Sequence, residues 1–353
     1  MAIENLGGNL RDYTTLRVGG GARQIVRVTT DLELINLVTE LDQKSEPLLI
    51  LGGGSNVVCA DSTFPGTVII VATEGVDWAG ERVRVAAGEN WDTFVTTALE
   101  HGNGGLAPLA GIPGSMGATP IQNIGAYGVE LAEFVSQVEV WDRTAGIRRI
   151  LSANDCEFEY RGSVFKKDPN RYVLLAVTLE LASTLEIAIE YQQLADVMKQ
   201  EVGTTAQSAA VRDQVLQLRS SKSMVLDLAD ADSNSTGSFF INPTVLHTEV
   251  PPGCPSYSLG EINPRAKTHV KLSAAWLIEN AGIAKGFALS VGDSAIRVSR
   301  NHTLAIVNPD QGTAQAVIEL ASYLRQQVFN AYRIELIAEP VLIHCELDQI
   351  TRN

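Results

Sequence analysis

Residues 111–128 read GIPGSMGATPIQNIGAYG. Five glycines (Gly111, Gly114, Gly117, Gly125, Gly128) stand among Ser115, Ala118, Thr119 and Ala126. Each glycine costs roughly 0.5–1 kcal/mol in a helix or strand relative to Ala. A chain accepts that cost where backbone turns sharply or approaches a flat or phosphorylated ligand, with N–H groups aimed at oxygens or ring heteroatoms. Pro113, Ile112, Ile121 and Ile124 anchor the segment inside a fold rather than in a solvated linker. Three further residues carry chemistry. Arg161 sits among aromatic and aliphatic neighbours, and its planar fork suits a carboxylate. Glu339 ends the apolar run Leu336-Ile337-Ala338, where a glutamate is either paired or functional. Ser238 lies in GSFFINP; no Gly-x-Ser-x-Gly surrounds it, so a hydrolase nucleophile elbow is absent. The five histidines show no triad order.

Elements must position these groups. Ile25–Val28 reads as a strand, and Asp31–Asp42 has helical spacing. Residues 47–51 then run into Gly52-Gly53-Gly54. That is a βαβ unit ending in a glycine turn, the usual place for a phosphate cradle, with no Walker lysine. Strands are expected at 66–71, 82–87, 137–141, 148–151, 172–181, 303–307 and 334–343. Helices are expected at 92–101, 207–219, 271–281 and 313–329. Residues 225–236, VLDLADADSNST, read as a mobile acidic connection. Strands interleaved with helices imply an α+β protein.

The chain has 353 residues, enough for two or three subdomains. Its formal charge of −14 repels nucleic-acid phosphate and anionic lipid, so neither is an expected partner. An anionic substrate needs a locally basic cleft. Arg219 and Lys222, upstream of Ser238, and Lys271, Lys285 and Asn242 in the same part of the chain are candidates, with Tyr257 a weaker one. No secretory leader is read at the start, and no apolar run approaches the ~20 residues that span a bilayer. The four scattered cysteines have no zinc or iron–sulfur spacing. They are expected as reduced thiols in the cytoplasm, and no metal is expected.

The glycine-rich segment resembles the flavin-binding segment of the UDP-N-acetylenolpyruvoylglucosamine reductase (MurB) family. Thr15–Gly20, Leu51–Asn56, Tyr160-Arg161, Gly237–Pro243 and Glu339 follow in the family's order, so the resemblance spans about residues 9–345. It implies an FAD-binding fold of the vanillyl-alcohol-oxidase (PCMH) type in two subdomains, 9–62 and 63–184, plus an α+β substrate-binding domain, 185–353. It implies non-covalent FAD, with NADPH as co-substrate. The cofactor contacts it implies come from Leu51, Gly52, Gly53, Gly54, Ser55 and Asn56, then Pro113, Gly114, Ser115, Gly117, Ala118, Asn123, Ile124, Gly125 and Tyr127. It implies substrate contacts from Tyr160, Tyr191, Arg219, Lys222, Asn242, Tyr257, Lys271 and Lys285. Without the resemblance, Tyr191 reads as an ordinary loop aromatic; with it, Tyr191 matches a loop tyrosine that some members fold over the substrate diphosphate.

The implied reaction belongs to peptidoglycan precursor synthesis, and so to cell-wall growth, shape and division. Hydride passes from NADPH to flavin N5 and then to C3 of the enolpyruvyl group of UDP-N-acetylglucosamine enolpyruvate. Arg161 holds the carboxylate, Arg161 and Glu339 stabilise the developing charge, and Ser238 protonates C2. A serine can do so only towards a strongly basic carbon in contact with it. The family commonly has Lys where Ile241 stands. Pro340 follows Glu339 directly, and Glu335 is the alternative carrier of its role. The protein is expected to be a monomer. Two other readings are a flavin oxidase, against which the lack of His or Cys in the glycine segment argues, and a non-catalytic nucleotide-sugar-binding protein, against which Ser238, Arg161 and Glu339 argue.

Overall fold

Thr30 stops the strand Ala22–Val28 and starts a helix: its hydroxyl accepts the Glu33 N–H at 3.2 Å. The helix Asp31–Gln43 buries Leu34, Val38 and Leu41 on one face. The chain returns as the strand Leu48–Leu51, and Phe64–Val71 inserts between the two strands, parallel to both. The short strand Glu4–Leu6 closes the outer edge antiparallel to Ala22–Val28. The expected βαβ unit is therefore present, with one strand slotted into its middle. The computed structural model describes residues 4–259, 265, 267–290 and 296–352.

A second, antiparallel sheet orders its strands Ile147–Ser152, Val135–Asp142, Tyr172–Glu180, Arg82–Ala86 and Val76–Ala79. The helix Trp91–Glu100 packs Trp91, Phe94, Val95 and Ala98 into the core beneath it. The Trp91 indole N–H donates to the Leu109 carbonyl at 3.0 Å, which pins the entry to the glycine-rich segment. The helix Ser208–Ser220 completes this unit, within one residue of the expected span.

The chain forms two compact units: residues 1–8, 22–54 and 64–225, and residues 9–21, 55–63 and 226–353. This division runs differently from boundaries at 62/63 and 184/185, because residues 9–21 and 55–63 group with the C-terminal part. In that second unit the helix Ala314–Tyr332 buries Val317, Ile318, Ala321, Leu324 and Val328. Asp61 caps it, accepting the Ala314 and Gln315 N–H groups at 2.9 and 3.0 Å.

Three expected elements differ. Residues 271–281 are not one helix. His269–Leu272 is a strand paired with Thr244–Leu246 and Ser256–Tyr257, and the helix Ala274–Asn280 begins after Ser273, whose hydroxyl accepts the Trp276 N–H. Residues 334–343 are not one strand: Val341–Ile343 forms a strand parallel to Val57–Cys59, and Ala338 makes a single antiparallel bridge with Phe240. Residues 225–236 are not a mobile connection throughout. Asp232, Ser233 and Ser235 are buried, and the Asp232 carboxylate meets the Arg297 guanidinium at 2.6 Å, the Ser299 hydroxyl at 3.0 Å and the Arg300 N–H at 2.7 Å.

Candidate active site

Two glycine turns lie back to back in the first unit. A Cβ on Gly53 would fall 2.7 Å from the Gly114 Cα, and one on Gly52 would fall 2.0 Å from the Ser115 hydroxyl. Gly54 and Gly114 both have positive φ, +60° and +135°. Met116 and Gly117 fasten the second turn by donating to the Glu89 and Ala87 carbonyls, both at 2.8 Å. Among the described residues, the N–H groups of Gly52, Gly53, Gly54, Gly114 and Ser115 donate to no protein acceptor. The result is a side-chain-free cradle with unspent backbone donors. Leu51 and Ile124 are buried, so any part they take in the cradle falls to their backbone.

Asn123, Tyr127 and Arg161 all have left-handed backbone, with φ of +46°, +50° and +53°. Side chains other than glycine adopt it at a cost, held by their surroundings. The Arg161 guanidinium donates to the Gly125 carbonyl at 2.8 Å and the Asn123 carbonyl at 3.3 Å, and it lies 5.5 Å from the Tyr160 ring centre. Tyr127 meets Tyr191 edge-on, with ring centres 5.7 Å apart. Gly128 leaves room for Glu190 beside it: a Cβ there would fall 2.5 Å from the Glu190 Cβ. Burial pushes the Tyr127 phenol up, with Arg219 opposing. Burial also pushes the Glu133 carboxyl up, against the hydrogen bond it accepts from the Glu130 N–H and with the nearby charges of Glu130 and Glu190.

Arg219 ends the helix Ser208–Ser220 beside Gly111; a Cβ on Gly111 would fall 3.4 Å from the Arg219 Nε. One guanidinium nitrogen donates to the Met224 carbonyl at 2.9 Å, while the enclosed Nε has no hydrogen-bond partner among the described residues. Desolvation holds the Arg219 pKa below the ordinary arginine value; Arg161 adds to this, and Tyr127 and Asp92 oppose it. The Lys222 ammonium donates to the Gln193 side chain at 2.8 Å.

In the second unit, Ser235–Ser238 pairs with Ala305–Val307 across a bulge at 236–237, where Gly237 takes φ +71°. The bulge aims Ser238, which is half-buried; its hydroxyl has no hydrogen-bond partner among the described residues. The backbone then turns to residues 337–339: Ile241 donates to the Ile337 carbonyl at 3.0 Å, and Glu339 to the Phe239 carbonyl at 2.8 Å. Asn56 brackets the next step. Its amide donates to the Glu339 carbonyl at 3.3 Å, and its own carbonyl accepts the Val341 N–H at 2.9 Å. Pro340, which has no N–H, sits where none is needed. Ser238 and Glu339 are thereby brought onto neighbouring backbone. Glu335 is elsewhere: it is exposed and ion-paired with Arg325 and Arg352.

The remaining candidates of this unit divide. Lys271 and Tyr257 face each other across paired strands. The Asn242 side-chain oxygen accepts the Ala274 N–H at 2.9 Å, a structural task that sequence spacing did not reveal. Lys285 is exposed. Ser55 follows the first glycine turn directly. Among the described residues, no group of three His, Cys, Asp or Glu could hold a metal ion, and no helix is long and apolar enough to cross a membrane.

Residues 22–150 match the FAD binding domain family, and residues 229–343 match the UDP-N-acetylenolpyruvoylglucosamine reductase C-terminal domain. A UDP-N-acetylenolpyruvoylglucosamine reductase of Cutibacterium acnes is 42% identical over 344 residues, covering 96% of this chain and 90% of that protein. One from Thermobifida fusca is 44% identical over 355 residues, covering 95% and 96%. The chain belongs to the UDP-N-acetylenolpyruvoylglucosamine reductase family. It is an oxidoreductase of that family, as the resemblance implied. The solved structure of the MurB reductase from Thermus caldophilus superposes with a TM-score of 0.67 at 26% identity, covering 97% of this chain and 99% of that one. The α+β architecture and the FAD-binding fold of the PCMH type stand. The cradle fits the diphosphate of FAD: Gly52 and Gly53 let the two turns pack closely against each other, and the N–H groups of Gly52–Gly54, Gly114 and Ser115 are left for an anion.

Proposed function

We propose that this protein reduces UDP-N-acetylglucosamine enolpyruvate to UDP-N-acetylmuramate with NADPH, as an FAD enzyme of peptidoglycan precursor synthesis in the cytoplasm, acting as a monomer. The observation that carries the reading is the Gly237 bulge, which presents the uncommitted Ser238 hydroxyl on backbone hydrogen-bonded to that of Glu339. Bound FAD would supply the redox chemistry, taking a hydride from NADPH and delivering one to the substrate alkene. The cofactor is held by the two glycine turns, with Ser55, Asn56, Pro113, Ala118 and Tyr127 completing the contacts. The division into FAD-binding segments within 9–62 and 63–184 and a substrate domain at 185–353 belongs to this reading.

The chain's own residues do the rest. Arg161 pairs with the enolpyruvyl carboxylate, because an alkene bearing an uncompensated carboxylate resists a hydride. Glu339 takes part in stabilising the charge that grows as C3 receives it. Ser238 donates its hydroxyl proton to C2, which is basic enough to take a proton that water would not. Tyr160, Tyr191, Arg219, Lys222, Asn242, Tyr257, Lys271 and Lys285 hold the rest of the substrate. Arg219 supports this reading best, since its desolvated guanidinium has one carbonyl acceptor and no ion pair among the described residues.

The test separates the half-reactions. Anaerobic NADPH should bleach the flavin band in wild type and in Ser238→Ala at similar rates. Reoxidation by the enolpyruvyl substrate should slow by roughly 10²–10⁴ in Ser238→Ala. Equal slowing of both steps would make Ser238 a binding or structural residue.

A further inference from the structure

We propose that Asn123 is a positioning residue for Arg161, and that its side chain serves this task and not a cofactor contact. The inference rests on the carboxylate-binding role given to Arg161 above. Asn123 is 1% exposed. Its amide NH₂ donates to the Glu130 carboxylate at 2.7 Å and to the Glu159 carbonyl at 3.3 Å, while its amide oxygen accepts the Ala132 N–H at 2.9 Å. Both ends of the amide are thus committed within the protein.

The same residue grips Arg161 twice. The Asn123 backbone carbonyl takes one terminal guanidinium nitrogen at 3.3 Å, beside the Gly125 carbonyl, which takes the other at 2.8 Å. The Asn123 side chain holds the Glu159 carbonyl, and Glu159 and Gly162 exchange backbone hydrogen bonds of 3.1 and 3.0 Å around Arg161. Tip and base of the arginine are therefore fixed by one residue. The Ser163 hydroxyl adds a third tie, to the Ile121 carbonyl at 2.6 Å. Both Asn123 and Arg161 have left-handed backbone, a strain that the network must hold.

Asn123→Asp tests this with little change in size. It replaces a donor by an acceptor facing the Glu130 carboxylate and the Glu159 carbonyl. FAD content and flavin reduction by NADPH should stay within about twofold of wild type. Reoxidation by the enolpyruvyl substrate should fall about 10- to 100-fold, the usual scale for a misplaced catalytic group. Substrate affinity of the oxidised protein, read by calorimetry, should fall about tenfold. The loss should shrink as pH falls, because a protonated Asp at 123 donates to Glu130 again; wild type should lack this pH dependence. The charged groups around that position are Glu130, Glu133, Glu159 and Glu190, with Arg161, Lys166 and Lys167 opposite. The double variant Asn123→Asp/Glu130→Gln exchanges donor and acceptor. It restores the contact at position 130 but not the donor to the Glu159 carbonyl, so it should regain part of the reoxidation rate, above the single variant and below wild type. Loss of FAD with normal kinetics per bound flavin, equal slowing of both half-reactions, or a double variant no better than the single one would overturn the proposal.

Discussion

Two arginines in different parts of the molecule are handled in opposite ways. Arg297 in the second unit meets the Asp232 carboxylate at 2.6 Å, with both side chains about 6% exposed. Arg219 in the first unit has one carbonyl acceptor and no ion pair among the described residues. Removing a charge from water costs several kcal/mol, by order of magnitude, unless a partner repays it. At Arg297 the protein supplies the partner, and the product is structure: the acidic stretch 227–235 is fastened. At the half-buried Arg219 no ion pair among the described residues repays the cost, and Tyr127 and Asp92 offset it in part. A cation kept in that state is suited to an anion from outside, such as a diphosphate.

The largest effect should come from breaking the satisfied pair. Asp232→Ala removes the ion pair of the buried Arg297 and the acceptor of the Ser299 hydroxyl and the Arg300 N–H. Urea unfolding should show a loss of about 3–5 kcal/mol. A loss under about 1 kcal/mol would mean that the pair does not fasten the segment. Arg219→Leu should behave in the opposite sense. Stability should stay level or rise, because an unrepaid desolvation disappears. Affinity for the UDP-linked substrate should drop about 30-fold, equivalent to about 2 kcal/mol. A destabilised Arg219→Leu protein with normal substrate affinity would erase the contrast.

Glycines beside the two regions sharpen it. Gly111 and Gly237 share left-handed backbone, φ +70° and +71°. A Cβ on Gly111 would fall 2.8 Å from Leu216 and 3.2 Å from Val225, whereas a Cβ on Gly237 would meet nothing within 4 Å. Gly237→Ala should cost only the left-handed strain, about 1–2 kcal/mol. Gly111→Ala should cost more, since strain and overlap add. Equal melting shifts for the two would show that the surroundings of Gly111 relax freely.

Much of this was legible in the sequence, for a physical reason: periodic elements carry local signals. The helix Asp31–Gln43 announces itself by apolar spacing, and the strands Val135–Asp142 and Tyr172–Glu180 by their β-branched runs. The two glycine turns also stood out, since composition alone marks backbone without side chains. What failed depended on distant partners. VLDLADADSNST looks like a solvated connection until Arg297, 65 residues on, neutralises Asp232. Residues 271–272 look like the start of a helix until 244–246 and 256–257 pair with them. Asn123 and Asn242 sit in motif positions, but their side-chain tasks lie with Glu130 and Ala274, and no spacing rule reports an amide's partner.

The smallest expected effect decides between two glutamates four residues apart. Glu335 is exposed and meets Arg352, 74% exposed, while Arg325, 17% exposed, also donates to the Leu336 and Asp348 carbonyls and keeps those acceptors without it. Exposed pairs of this kind contribute about 0.2–1 kcal/mol. Glu335→Gln should therefore lower stability by no more than that and leave both half-reactions at wild-type rates. Glu339 has its N–H on the Phe239 carbonyl and its carbonyl on the Asn56 amide, so two backbone contacts hold its position. Glu339→Gln should keep FAD and stability, yet slow reoxidation by roughly 10², as when one preorganised electrostatic partner is lost. The reverse result, a crippled Glu335→Gln beside a normal Glu339→Gln, would move the role to the ion-paired position. The Arg325 contact would then have to open during turnover, and the rate of the Glu335→Gln protein would depend on salt less than that of wild type.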